Sequence, residues 1–194
     1  RIVEGTEGTD ELILAEDIVI ARVRSTDSGG RRGIAGIGAS TGRLLWFHEE
    51  RLYLPMSMAA ADGCVVYCNR KELVCMTTDE GTPVWRATLP QLNRHQWSNG
   101  PTIAMLQGRV LLGSNRGVTA LDASTGRLVW QVKGSGHALR GGDLLVTDGI
   151  AWHARGQSIA GYDLRTGKTV RELDPSSVYS HGHHLRCYRA KGTE

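Results

Sequence analysis

The chain has 194 residues, of which 40% are hydrophobic and 25 are glycine, and it carries a formal net charge of +3. That is enough apolar material for a core, while its scattered Lys and Arg form no run and no basic–aromatic stripe, which argues against nucleic acid or an anionic membrane surface as a partner. No apolar stretch approaches membrane-spanning length, so insertion into a membrane is not expected. The chain opens at Arg1 without a methionine or a secretory leader and stops at Lys191-Gly-Thr-Glu194 without a closing element; the expectation is a piece of a longer protein.

In chain order, Glu16–Arg22 reads as a strand, followed by the polar loop Ser25–Arg32 and by strands at Gly33–Ile37 and Leu44–Phe47. A second group follows at Ala61–Cys68, Leu73–Thr77 and Pro83–Thr88, and a third at Gly100–Met105, Leu106–Gly113, Val118–Asp122 and Arg127–Val132. The fourth is Asp148–His153, Ser158–Tyr162 and Thr169–Leu173. Short runs rich in branched residues, parted by glycine turns, predict antiparallel hairpins, and no segment has a convincing helical period.

These groups share a phrase. Gly38-Ala-Ser-Thr-Gly-Arg-Leu-Leu-Trp46 returns as Thr77-Thr-Asp-Glu-Gly-Thr-Pro-Val-Trp85, as Asp122-Ala-Ser-Thr-Gly-Arg-Leu-Val-Trp130, and as Asp163-Leu-Arg-Thr-Gly-Lys-Thr-Val-Arg171. The anchoring Gly42, Gly81, Gly126 and Gly167 stand 39, 45 and 41 residues apart, a period that fits one four-stranded propeller blade per copy. Asp122 and Asp163 can hydrogen-bond the backbone of their own turns, and glycine takes a conformation that a side chain forbids. Trp46, Trp85 and Trp130 suit packing between blades, each a large apolar plate with one N–H to satisfy.

The third copy, Ala120-Leu-Asp-Ala-Ser-Thr-Gly-Arg-Leu-Val-Trp130, resembles the tryptophan-docking motif of quinoprotein dehydrogenases and their non-enzymatic relatives, Ala-x-Asp-x-x-Thr-Gly-Lys-x-x-Trp, and departs from it only at Arg127. The first two copies lack the Asp (Gly38 and Thr77), and the fourth has Arg171 in place of Trp. The resemblance, to the PQQ-like (pyrroloquinoline quinone-like) repeat superfamily, spans roughly residues 15 to 175. It implies an all-β, incomplete β-propeller of about four blades, part of a larger ring whose remaining blades belong to the parent protein or to another chain. The whole of 1–194 then reads as one propeller segment, with repeat units at 14–47, 56–88, 101–132 and 143–174, and 175–194 as an inter-blade loop leading to the next blade.

Candidate chemistry lies in cysteines and histidines. If Cys68 pairs with Leu73, then Cys64, Cys68 and Cys75 share one face of a hairpin; Cys64 and Cys68 would be about 13 Å apart, and the diagonals about 7–8 Å. Such separations suit buried thiols acting as small hydrophobes, whereas a metal site of all three needs a slipped register. Ser180-His-Gly-His-His-Leu-Arg-Cys-Tyr188 gathers His181, His183, His184 and Cys187, residue types that bind zinc, copper or iron, in a spacing that matches no established zinc or haem motif. His95, His137 and His153 are candidates for a ligand in an axial channel. Quinoprotein dehydrogenases hold their quinone with an adjacent-cysteine disulfide, which this chain lacks, so quinone binding by this segment alone is not expected.

The leading reading is a module that is non-catalytic by itself: a scaffold that binds a protein or ligand within a larger bacterial protein. The resemblance implies a periplasmic or secreted location and includes scaffolds of outer-membrane assembly. The alternative is part of a quinone-, metal- or haem-dependent redox enzyme with His181, His183, His184 and Cys187 as ligands.

Overall fold

The computed structural model describes residues 3–24, 30–88, 101–114, 116–134, 144–155, 158–174 and 191–192. The chain is all-β, an incomplete propeller of four antiparallel sheets, with no helix among the described residues. Sheet 1 is the meander β1 (Thr9–Ala15), β2 (Ile18–Arg24), β3 (Arg32–Gly38) and β4 (Leu44–Glu49). Sheet 2 repeats it with β5 (Tyr53–Ala61), β6 (Cys64–Asn69), β7 (Glu72–Thr77) and β8 (Pro83–Thr88). Sheet 3 has β9 (Thr102–Leu106), β10 (Arg109–Ser114), β11 (Gly117–Asp122) and β12 (Leu128–Lys133). Sheet 4 has β13 (Leu144–Thr147), β14 (Ile150–Arg155), β15 (Ser158–Asp163) and β16 (Thr169–Leu173), and β17 (Lys191–Gly192) lies parallel to β13.

Two compact units divide these sheets. The first, residues 1–94 with 124–126, holds sheets 1 and 2; the second, 95–123 with 127–194, holds sheets 3 and 4. In the first unit Ile20 and Ile34 pack with Met58, Val65, Tyr67, Val74 and Met76 in one core. In the second, Ala104, Leu111, Val118, Ala120 and Trp130 pack with Leu144, Val146, Ala151, Ala160 and Tyr162. The middle strands are apolar almost throughout (Val65-Val-Tyr-Cys68, Leu73-Val-Cys-Met76, Val110-Leu-Leu112) because both of their faces are covered, and a strand buried on two sides does not alternate.

Each sheet has a bulge at the same place. Gly36 pairs with Trp46 and Ile37 with Leu44, so Leu45 is an extra residue on the outermost strand. Val84, Val129 and Val170 are extra in the other three sheets in the same way. A bulge shifts the side-chain alternation by one residue. It therefore exposes an apolar residue (Leu45, Val84, Val129 and Val170 are all exposed) and turns the next one, Trp46, Trp85, Trp130 or Arg171, onto the face of its strand partner.

The first strands of three sheets, β1, β5 and β13, were not among the strands expected from the sequence. β1 carries Asp10 and Glu11, and its Leu12 and Leu14 point outward, so it lacks the apolar density that marks the middle strands. β5 contains Pro55 and Met56, with Met56 at φ 55 and an irregular register between Tyr53 and Met58, features that ordinarily argue against a strand.

Candidate functional site

The phrase folds into one turn at all four places. The amide of its first residue donates to the carbonyl five residues on, as in Gly38 N to Arg43 O at 2.9 Å and Asp163 N to Lys168 O at 2.8 Å. The glycine sits in the left-handed region, at φ 67 for Gly42 and between 66 and 70 for Gly81, Gly126 and Gly167. Asp163 accepts from the Thr166 amide at 2.7 Å and from its hydroxyl, and the hydroxyl bond first, then the amide, holds its carboxyl below the usual range. Asp122 lies 3.8 Å from the Arg109 guanidinium.

Each Trp stacks on the glycine of the next copy. A Cβ added to Gly81 would lie 2.5 Å from the Trp46 ring, one on Gly126 2.6 Å from Trp85, and one on Gly167 2.6 Å from Trp130. The indole N–H of Trp46 donates to Thr78 O at 2.8 Å, and that of Trp130 to Leu164 O at 2.9 Å. The phrase is thus a socket and a plug: the turn receives an indole, and the strand after it delivers one. Arg171 ends the series.

The β6–β7 hairpin carries the thiols. Cys68 pairs with Leu73, Val66 with Cys75 and Cys64 with Thr77, so Cys64, Cys68 and Cys75 share a face without a register slip. All three are free. Cys68 donates to Asn69 O at 3.0 Å, and burial pushes its thiol up to about 12. Cys75 is pushed up to about 12 as well, by burial first and then by the neighbouring Cys64.

A polar seam crosses the core of the first unit. Buried Arg22 pairs with Asp10 at 2.9 Å and lies over the Tyr53 ring, 4.5 Å from its centroid. The Tyr53 hydroxyl donates to Glu11 Oε2 at 2.6 Å, and the same oxygen accepts the Met56 amide at 2.9 Å, holding Met56 in its left-handed conformation. Burial, then the Glu11 charge, lifts this phenol far above the usual range. Tyr53→Phe should therefore cost about 1.5–3 kcal/mol, the value of a hydrogen bond to a charged group, read as a lower urea midpoint with faster hydrogen exchange at Met56.

Tyr53 stacks on Tyr67, which is 6.5 Å from the His48 ring. Burial first, and then Arg86, lowers the pKa of His48, against an upward pull from Glu50. The neutral imidazole is therefore favoured by folding, and the unfolded chain takes up the proton first as pH falls through about 6.5. Stability from this group is present above that pH and is lost as pH falls toward the lowered folded value. The melting temperature should drop less between pH 7 and pH 5.5 in His48→Gln than in the unchanged chain.

Of the histidines singled out by sequence, His153 is on β14, cross-strand from Leu144 and Ala160 and buried with them, and not on the first strand of its sheet. His95, His137, His181, His183, His184 and Cys187 lie outside the described residues. Among the described residues no three His, Cys, Asp or Glu side chains gather around a point that could hold a metal, and no helix is long and apolar enough to cross a membrane. The Glu11–Arg22–Tyr53 seam went unread in the sequence because its members are far apart in the chain and each is an ordinary strand residue.

Solved structures share this fold at low identity. BamB from Moraxella catarrhalis is 17% identical with a TM-score of 0.56, the match covering 84% of this chain and 50% of that one. The computationally designed Ika4 protein is 18% identical with a TM-score of 0.61, covering 84% of this chain and 96% of that one. The quinohemoprotein alcohol dehydrogenase ADHIIG from Pseudomonas putida HK5 is 16% identical with a TM-score of 0.60, covering 84% of this chain and 33% of that one. The chain thus spans about half the length of the BamB structure it matches. No curated protein matches it. The sequence profile of the PQQ-like family described as outer membrane protein assembly factor BamB matches residues 24–178, and with the repeated socket-and-plug turns this makes the chain a member of that family.

Proposed function

We propose that this chain is a non-catalytic PQQ-like propeller module that acts as a binding scaffold, presenting its loops to a protein partner within a longer periplasmic or secreted bacterial protein. The observation that carries the reading is the use made of the residues that resemble a quinoprotein. Trp46, Trp85 and Trp130 are stacked on the glycines of the following turns, where they serve as mortar between blades rather than as the floor of a cofactor site. In this reading 14–47, 56–88, 101–132 and 143–174 are the blades, and Gly42, Gly81, Gly126, Gly167, Asp122 and Asp163 shape the turn between the last two strands of each. The family's description as an outer membrane protein assembly factor favours a protein partner in such assembly. Coverage of only half of the BamB structure supports completion of the propeller by further blades of the parent or by another chain.

The test is an absorption spectrum with metal analysis on protein purified without chelators, repeated after adding pyrroloquinoline quinone with calcium. The expected result is no visible band and no bound quinone. A chromophore, or a metal lost in His183→Ala with His184→Ala, would overturn the scaffold reading in favour of a redox protein with His181, His183, His184 and Cys187 as ligands.

A further inference from the structure

The repeated joint changes character in the first copy and in the last, and the two changes are complementary. Sheet 1 turns Ile18, Ile20, Ile34 and Trp46 toward sheet 2. Its other face carries Ala21, Ala35, Ile37 and Phe47, and the strand register adds Leu12 and Leu14, which are 63% and 66% exposed. Gly42 shapes the socket of this sheet, and among the described residues no indole stands on it. Trp46, Trp85 and Trp130 lie on Gly81, Gly126 and Gly167, and Trp152 lies on Gly161. Where Thr78 O and Leu164 O accept an indole N–H, the matching carbonyl in the first copy is Ala39 O, which no donor reaches among the described residues.

This socket also holds a charge that the others lack. The amide of the second residue of the phrase donates to Gly63 O, Gly108 O and Gly149 O in the last three copies, and to Asp17 O in the first. Asp17 therefore stands where the other sheets have glycine, and its exposed carboxylate accepts the Ser40 hydroxyl of the socket turn at 3.1 Å. The opposite charge sits at the last plug. Leu145, Trp152, Gly161 and Arg171 form a row across the face of sheet 4 that points away from its core. Arg171 is exposed and has no ion pair among the described residues, and Leu145 and Leu173 are exposed beside it.

We propose that two copies of this chain join head to tail, Arg171 of each entering the Gly42 turn of the other beside Asp17, so that two joints close eight sheets into one ring. The proposal rests on the reading of the chain as an incomplete propeller completed from outside, and it names a second copy as the completing chain. A guanidinium suits this socket. It is a flat plate that stacks as an indole does, and its several N–H groups serve Ala39 O and the Asp17 carboxylate together. An indole has one N–H and no charge to offer Asp17. Around this centre the exposed Leu145 and Leu173 of one copy cover Leu12 and Leu14 of the other, which removes both apolar faces from water.

The test is sedimentation equilibrium on the reduced 194-residue chain. The expected result is a dimer that does not grow into larger assemblies as concentration rises. Asp17→Arg and Arg171→Asp should each raise its dissociation constant by roughly 100-fold or more, because like charges then face each other at both joints. Both positions are exposed, so far-UV circular dichroism should stay that of the unchanged chain. Mixed in equal amounts, the two variants should dimerise again, since every joint then pairs an Arg with an Asp. The proposal is overturned by a folded monomer at every concentration reached, or by open assemblies of increasing size, the mark of a head-to-tail contact that does not close. A dimer that survives both variants, or that mixing fails to restore, overturns it as well. All of these outcomes are read from mass, independently of the spectrum and metal content that test the scaffold reading.

Discussion

Trp130→Ala is expected to destabilise the chain by about 3–5 kcal/mol, the range for removing a buried large aromatic side chain. The ring is nearly buried, stacked on Gly167, and packed in the same core as Leu111, Ala120, Leu144 and Tyr162. Because Gly167 has no side chain to move into the space, the cavity stays open, which sets the cost toward the upper end of that range. Trp130→Phe separates the two contributions. It keeps most of the apolar plate and loses the N–H bond to Leu164 O, so it should cost only about 1–3 kcal/mol, the price of a buried carbonyl left without a donor. Urea unfolding followed by far-UV circular dichroism measures both, and hydrogen exchange should show the loss of protection concentrated in β11, β12, β14 and β15. An unchanged midpoint for Trp130→Ala would mean that the stacked indole contributes nothing to stability.

The fold was legible because its most repeated element is also its most constrained. A turn that needs glycine at positive φ and a strand that must deliver a Trp leave few alternatives, so the glycine survives in all four copies and the Trp in the first three, even where Asp is lost. Less was legible where a residue's role depends on register. Leu45, Val84, Val129 and Val170 read as core residues by composition, yet the bulge expels them. Turns were also hidden inside apparently continuous strands. Asp62-Gly63 has φ values of 50 and 71, and Gln107-Gly108 46 and 68, the pattern of a two-residue hairpin turn, so Ala61–Cys68 and Leu106–Gly113 each contain a reversal. The Asp-Gly pair was a usable signal; Gln-Gly is a weaker one. The polar seam had no local signal, since Glu11 and Tyr53 meet only through the packing of sheet 1 on sheet 2. The three cysteines lay between these cases, because one assumed pairing, Cys68 with Leu73, was enough to place all three thiols on one face.

Gly81→Ala tests the socket without touching the plug, and it should be nearly as costly as losing an indole. Two costs add at one atom. Gly81 is at φ 66, where an L side chain costs about 1–2 kcal/mol. The new methyl would stand 2.5 Å from the Trp46 ring, so either the indole or the turn must move, an overpacking cost of about 1–3 kcal/mol. The indole has little room to yield, because its N–H is bonded to Thr78 O in the turn that carries Gly81, and shifting the ring lengthens that bond. The sum is about 2–5 kcal/mol. Gly63→Ala is the control: it has a similar φ of 71, but its methyl would meet nothing within 4 Å. It should therefore lose only the conformational part, about 1–2 kcal/mol. Comparing the two unfolding midpoints isolates the contribution of the stacked indole. Equal losses would show that glycine is kept in the phrase for its backbone alone, and a larger loss at Gly81 would show that the repeat is selected as a joint between sheets.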